Sequence, residues 1–337
     1  MQADPRGGSG GDRTLRRLAL ATALATFALI VLGGVVRVSG SGLGCGPGGS
    51  GFHGWPFCNG DVVPGVNLSS VIEYSHRTLA SAVGLMALGL AVLAWRRQRS
   101  NRALVWSASG GFVLVVAQGL LGAATVEQGL DEGLVAAHLG LAMLCLGFVI
   151  YAWRATREDV LAAEPPDAGR GFRTLSVVAS VFVLCTIVAG GYMAGTQNYG
   201  RPDYQLGDGA HHACGKEFPT CNGAFMPFGK TRLVDIHLTH RAFMYVTSLL
   251  LIALVALALR RRPSRGVVRS AQAVLALLVV QVLVGALNVW LDEYEALILA
   301  HLALGTLLWT AALGLSLQLF RVPAPAPART RAEAVPA

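Results

Sequence analysis

Four histidines, His76, His138, His240 and His301, carry the chemistry open to this sequence. Each falls within or beside an uncharged apolar stretch, where an ionisable side chain is costly and marks function by default. His76 and His240 stand 164 residues apart, and His138 and His301 stand 163 apart. One pair therefore belongs to each half of the chain. Two imidazoles on facing helices at similar depth can clamp a haem iron from both faces. A lone histidine of this kind can equally be a hydrogen-bonded packing residue; two pairs in register favour ligation. Zinc fits less well, because no third or fourth ligand recurs in both halves.

Glu73 lies three residues before His76 and so shares its helical face. At the matching place the second half has His237. A carboxylate one turn from a metal-ligating histidine can act as a base or stabilise developing positive charge. The competing reading is that Glu73 only pairs with Arg37 or Arg77. Tyr74 stands beside it. A duplicated chain with a carboxylate at one pair alone implies unequal roles, one haem site reacting and the other transferring electrons. Arg77 and Arg241 follow the histidines directly, placed either to pair with anionic haem propionates or to reach lipid headgroups. Gln118 and Gln281 recur in matched positions and suit hydrogen bonds between helices.

The elements that must hold these residues are legible in the charge gaps. Of 337 residues, 53% are apolar and only 14% charged, well below the quarter usual in soluble domains. Stretches free of Asp, Glu, Lys and Arg run over 18–36, 78–95, 103–126, 133–153, 174–200, 242–259, 270–291 and 296–320. A bilayer-spanning helix needs about 20 residues. The expectation is an all-α polytopic membrane protein with eight transmembrane helices. The ample apolar surface excludes disorder.

The net charge of +8 maps onto topology. Arginines cluster near both termini and around 96–102, 154–173 and 260–269, whereas 127–132 and 292–295 carry acidic residues and no basic one. This is the positive-inside pattern of a cell-membrane protein with both termini cytoplasmic. It points to membrane lipids as surroundings and to no nucleic-acid partner. The first apolar stretch lacks a small-residue cleavage pattern and reads as a retained helix, not a signal peptide.

An internal repeat organises the chain. Trp55-Pro56-Phe57-Cys58-Asn59-Gly60 matches Phe218-Pro219-Thr220-Cys221-Asn222-Gly223. Gln118-Gly119-Leu120-Leu121-Gly122-Ala123 matches Gln281-Val282-Leu283-Val284-Gly285-Ala286, both at an offset of 163. The reading is a cytoplasmic segment 1–14, a four-helix bundle 15–153, a cytoplasmic linker 154–172, a second bundle 173–320 and a disordered tail 321–337. An even number of spans per half gives both halves one orientation, related by a pseudo-twofold along the membrane normal.

Four of the six cysteines, Cys45, Cys58, Cys214 and Cys221, fall in the two long outer connections, where an oxidising compartment permits local disulfides. Structural and redox-active roles both remain open for Cys45 and Cys58; a structural bond is favoured for Cys214 and Cys221. Cys145 and Cys185 read as packing residues inside spans. His53, His211 and His212 read as solvated loop residues.

Over nearly its whole length the chain resembles the haem A synthase family. The likeness is carried by Gly40-Ser41-Gly42-Leu43-Gly44-Cys45, Trp55 to Gly60, Glu73-Tyr74-Ser75-His76-Arg77, His138, His237 to Arg241, and His301. It implies an oxidoreductase that converts the C8 methyl of haem O to a formyl group through successive water-derived hydroxylations, yielding the haem A of cytochrome oxidases. It implies that His76 and His138 hold substrate haem O, that His240 and His301 hold a haem b cofactor, and that Glu73 is the catalytic carboxylate. It also implies a Cys45–Cys58 pair linked to activity, and haem O synthase and cytochrome oxidase assembly factors as partners. The chain departs from the family in the 13-residue separation of Cys45 and Cys58, wider than the seven of Cys214 and Cys221. A diheme b-type electron carrier would use the same histidine pairs but has no evident need of Glu73 or the cysteines. A transporter would place its charges at the midplane, and here they lie at the outer ends.

Overall fold

The computed structural model describes residues 10–197, 209–291 and 294–323, with side chains from Arg13 onward. Among these the regular structure is helical: α1 Gly10–Val38, α2 Leu68–Arg97, α3 Arg102–Glu127, α4 Glu132–Ala155, α5 Glu158–Ala162, α6 Gly169–Gly195, α7 Arg232–Arg261, α8 Arg265–Trp290 and α9 Glu295–Gln318. All but α5 are long and apolar enough to cross a membrane, eight helices in total. The protein is an all-α polytopic membrane protein.

Local signals start these helices where the sequence turns apolar. The side chains of Asn67, Asn101, Asp131, Thr231 and Ser264 accept hydrogen bonds from the first-turn amides of α2, α3, α4, α7 and α8. Each cap satisfies a donor that would otherwise be orphaned. Outward faces carry large apolar side chains such as Leu85, Trp95, Trp106 and Val113, as a lipid-facing surface requires.

In the first half α1 packs on α2, α2 on α3, α3 on α4 and α4 back on α1. In the second, α6, α7, α8 and α9 close a ring in the same order. The rings meet through α4 against α6 and α1 against α9. The largest apolar cluster, with Met143, Leu146, Val183, Leu251, Leu254, Trp309 and Leu315, fills the second ring and this junction. In the first ring the buried cluster of Leu15, Ala19, Leu90, Ala94, Leu104, Ala108 and Ala152 sits at the basic end. The histidine end of that ring is thus spared the dense apolar packing.

Several expected boundaries shift. Helix α1 begins at Gly10, inside the segment expected to precede it. The linker carries the short helix α5, and α6 begins at Gly169, within the expected linker. The start of the expected tail is ordered: Val322 is buried among Leu15, Leu104 and their neighbours. Residues 324–337, together with Asp292 and Glu293, lie outside the described residues.

Candidate functional site

All four histidines lie within the first two or three turns of α2, α4, α7 and α9, at the end opposite the arginine clusters. In the second half the rings of His240 and His301 face each other with centroids 6.4 Å apart and planes 77° apart. Two metal–imidazole bonds of about 2 Å each, with the half-widths of two rings, span about 6 Å. His240 Nδ1 donates to the Thr186 carbonyl of α6 at 3.0 Å. That backbone bond fixes the ring and leaves Nε2 for a metal, as is usual for ligating histidines. The buried Nδ1 atoms of His76, His138 and His301 have no hydrogen-bond partner, so these three rings lack the backbone bond that fixes His240. The facing rings of His240 and His301 fit a haem held between them, and His76 and His138 are the corresponding pair of the first half. Among the described residues no group of three His, Cys, Asp or Glu side chains could hold a metal ion alone.

The glutamines behave differently in the two halves. Gln118 Nε2 donates to the His138 carbonyl at 2.9 Å, tying α3 to α4. Gln281 Nε2 lies 3.3 Å from His301 Nε2 itself, so iron ligation at that nitrogen would displace the amide.

Glu73 is buried, 3% exposed, and both its oxygens are engaged. Oε1 pairs with Arg77 one turn on, and Oε2 accepts the backbone N–H of Cys45 at 2.8 Å. Of the two arginines considered as partners, Arg77 is the one that pairs. Arg37 instead donates to Ala194 O at 2.7 Å and to Gly195 O at the end of α6, in the other half.

The disulfides Cys45–Cys58 and Cys214–Cys221 are formed. All four half-cystines are at most 1% exposed, and such burial favours a structural bond over exchange with external thiols. Cys145 is buried and Cys185 half-buried, both free thiols inside spans.

The two disulfide-bearing loops repeat in their contacts as well as their residues. Arg77 donates to the carbonyls of Gly54 and Phe57; Arg241 donates to those of Glu217 and Thr220, at matching positions. Asn59 donates to Gly44 O and Asn222 to Ala213 O, each the residue before a cysteine. His237, in the place of Glu73, donates from Nδ1 to Ala210 O at 2.7 Å. The arginines expected at haem propionates thus spend donors on the loops that roof each site.

His53 is exposed as expected, but His211 and His212 are half-buried. Burial, with His237 and His240 nearby, holds His211 well below the ordinary histidine range. Neither is a simple solvated loop residue, because the loop folds down onto α7.

Sequence reasoning missed three participants. The Cys45 amide and the Ala210 carbonyl are backbone groups and leave no residue-type signal. Glycines facing each histidine are the third. The Cβ positions of Gly33, Gly122, Gly190 and Gly285 would lie 2.8–3.3 Å from a histidine Cε1. The match of Gly122 to Gly285 within the repeat was the available clue.

The profile of the COX15-CtaA family, described as cytochrome oxidase assembly protein, matches residues 16–313. The chain belongs to this family. Among relatives of this COX15-CtaA protein, the heme A synthase of Shouchella clausii is 30% identical over 243 residues, covering 71% of this chain and 74% of the relative. That of Alkalihalophilus pseudofirmus is 30% identical over 254 residues, covering 74% and 78%. That of Symbiobacterium thermophilum is 29% identical over 283 residues, covering 82% and 85%.

Proposed function

We propose that this COX15-CtaA protein is a haem A synthase, oxidising the C8 methyl of haem O to a formyl group for cytochrome oxidase. The observation that carries the reading is the asymmetry between matched positions: a buried, fully engaged Glu73 beside the His76–His138 pair, and a neutral-type His237 beside the His240–His301 pair. Relatives named heme A synthase over most of both chains support the same assignment.

In this reading His76 and His138 would hold haem O by its iron. Each hydroxylation replaces a hydrogen of the C8 methyl group by a water-derived hydroxyl and releases two electrons and two protons. A second hydroxylation gives a hydrate that loses water to the aldehyde. Glu73 accepts a proton from the attacking water or stabilises cationic character at the carbon; its fixed place between Arg77 and the Cys45 amide suits both. His240 and His301 would hold a haem b, whose chemistry is one-electron transfer, and the released electrons leave through it to an external electron acceptor. Arg77 and Arg241 keep donors near the roofs of both sites, where propionates would lie. Haem O synthase, as the source of the substrate, and oxidase assembly factors are the expected partners.

The protein is placed in the cell membrane with both termini cytoplasmic and the disulfide loops outside. The support is the separation of arginine clusters at one end of the helices from disulfides at the other.

Acid–acetone extraction of haem from protein made in cells that also make haem O tests the function. Haem b together with haem O or its C8-oxidised products is expected. Haem b alone, despite abundant haem O, would favour the diheme electron carrier.

A further inference from the structure

Every one of the four histidines has a glycine at its back, contributed by a neighbouring helix. His76 of α2 faces Gly33 of α1, His138 of α4 faces Gly122 of α3, His240 of α7 faces Gly190 of α6, and His301 of α9 faces Gly285 of α8. In all four the nearest ring atom to the missing Cβ is Cε1, the corner between the two ring nitrogens. The same edge of each imidazole is therefore turned to a helix backbone. Glycine within a helix is less stable than alanine, so four such placements need a reason.

We infer that Gly33, Gly122, Gly190 and Gly285 are positioning residues that set the plane of each haem-ligating imidazole by letting it lie against bare backbone. The inference rests on the reading of the four histidines as haem ligands and adds what orients them. A Cβ at Gly190 would meet Cε1 of His240 at 2.9 Å, and one at Gly285 would meet Cε1 of His301 at 2.8 Å. These distances force a ring to turn or retreat. At Gly33 and Gly122 the corresponding distances are 3.1 and 3.3 Å, so these rings need yield only slightly. The tighter pair belongs to the proposed resident cofactor, the looser pair to the proposed substrate, which must enter and leave.

Two of these glycines are halves of doublets that also bring the bundles together. Beside Gly33, Gly34 meets Leu302 of α9, the residue after His301; beside Gly190, Gly191 meets Leu139 of α4, the residue after His138. Each doublet thus touches a histidine of its own half and the chain next to a histidine of the other.

The test uses full-length protein purified from cells making haem b but no haem O, with electron paramagnetic resonance and redox titration of the bound haem. The extreme g value of a low-spin bis-imidazole haem follows the angle between ring planes, 77° here. Gly190→Ala and Gly285→Ala are expected to shift that g value and the midpoint potential, or to lose the haem from protein still present in the membrane. Gly119→Ala in α3 and Gly171→Ala in α6, where a Cβ meets nothing within 4 Å, are expected to change neither. Parental values in both variants would overturn the inference. Should either variant fail to accumulate, Gly33→Ala and Gly122→Ala loaded with haem O decide: a shifted spectrum supports the inference and an unchanged one overturns it. The ligand reading fails separately, through a parental haem spectrum in His240→Ala.

Discussion

The backbone amide of Cys45 donates to Oε2 of Glu73 at 2.8 Å, joining a half-cystine of the first disulfide loop to the carboxylate one turn from His76. Arg77 completes the arrangement, holding the other carboxylate oxygen and two loop carbonyls. In the second half the same junction is made by a histidine ring and a backbone carbonyl. The loop, the disulfide and the carboxylate thus form one mechanical unit in the first half only.

Glu73→Gln should keep a hydrogen bond from Cys45 but lose the ion pair and the proton acceptor. The expected result is a fall in haem A formation of about 100-fold or more, with haem content of the purified protein unchanged. Extraction and chromatography of total haem checks it; parental haem A output would remove Glu73 from the chemistry.

His240→Ala or His301→Ala should lose haem b, while His76→Ala or His138→Ala should lose haem O and keep haem b. Reduced-minus-oxidised spectra with pigment extraction distinguish the two sets. Loss of the same haem from both sets would contradict a division of labour between the halves.

The buried cystine of the first loop should resist dithiothreitol in the folded protein, so that mass-tag alkylation labels Cys45 and Cys58 only after denaturation. Replacing both by alanine should lower stability by about 3 kcal/mol, the loop-closure contribution for a ring of this size. Thermal unfolding in detergent gives the value; rapid labelling of the native protein would argue for a redox-active pair.

Arg241→Gln removes charge-assisted bonds to the carbonyls of Glu217 and Thr220. The expected cost is about 2 kcal/mol, felt locally as faster cleavage of the loop before α7 by protease added from outside. An unchanged cleavage rate would mean that the disulfide alone holds that loop.

The membrane spans were legible because a bilayer demands long uncharged stretches, and the histidine pairs because the repeat brings them into register. Glu73 was identifiable from the contrast with His237 at the matching place. Its link to Cys45 was not, since a backbone amide has no letter of its own and its position depends on how the glycine-rich loop folds back. Gly33 and Gly190 were hidden for another reason. They precede the disulfide-bearing loops, which differ in length, so they fall out of the 163-residue offset that aligned Gly122 with Gly285. Arg37 was weighed only as a partner for Glu73, because its true acceptors, the last carbonyls of α6, belong to a distant part of the chain.

Arg37 at the disulfide end and Arg154 at the opposite end are both carried by the first half, and both give donors to helix C-termini of the second: Arg37 to α6, Arg154 to Leu317 O of α9 at 3.1 Å. Among the described residues Arg232 of α7 returns a bond to Glu132 of α4, but to a side chain at a helix start and not to a helix end. A gene fragment encoding only the second half would make a four-helix unit with two helix ends deprived of these arginine caps. The two halves of the present chain are therefore not interchangeable units, because the first completes helix ends of the second and the bond returned goes to a side chain.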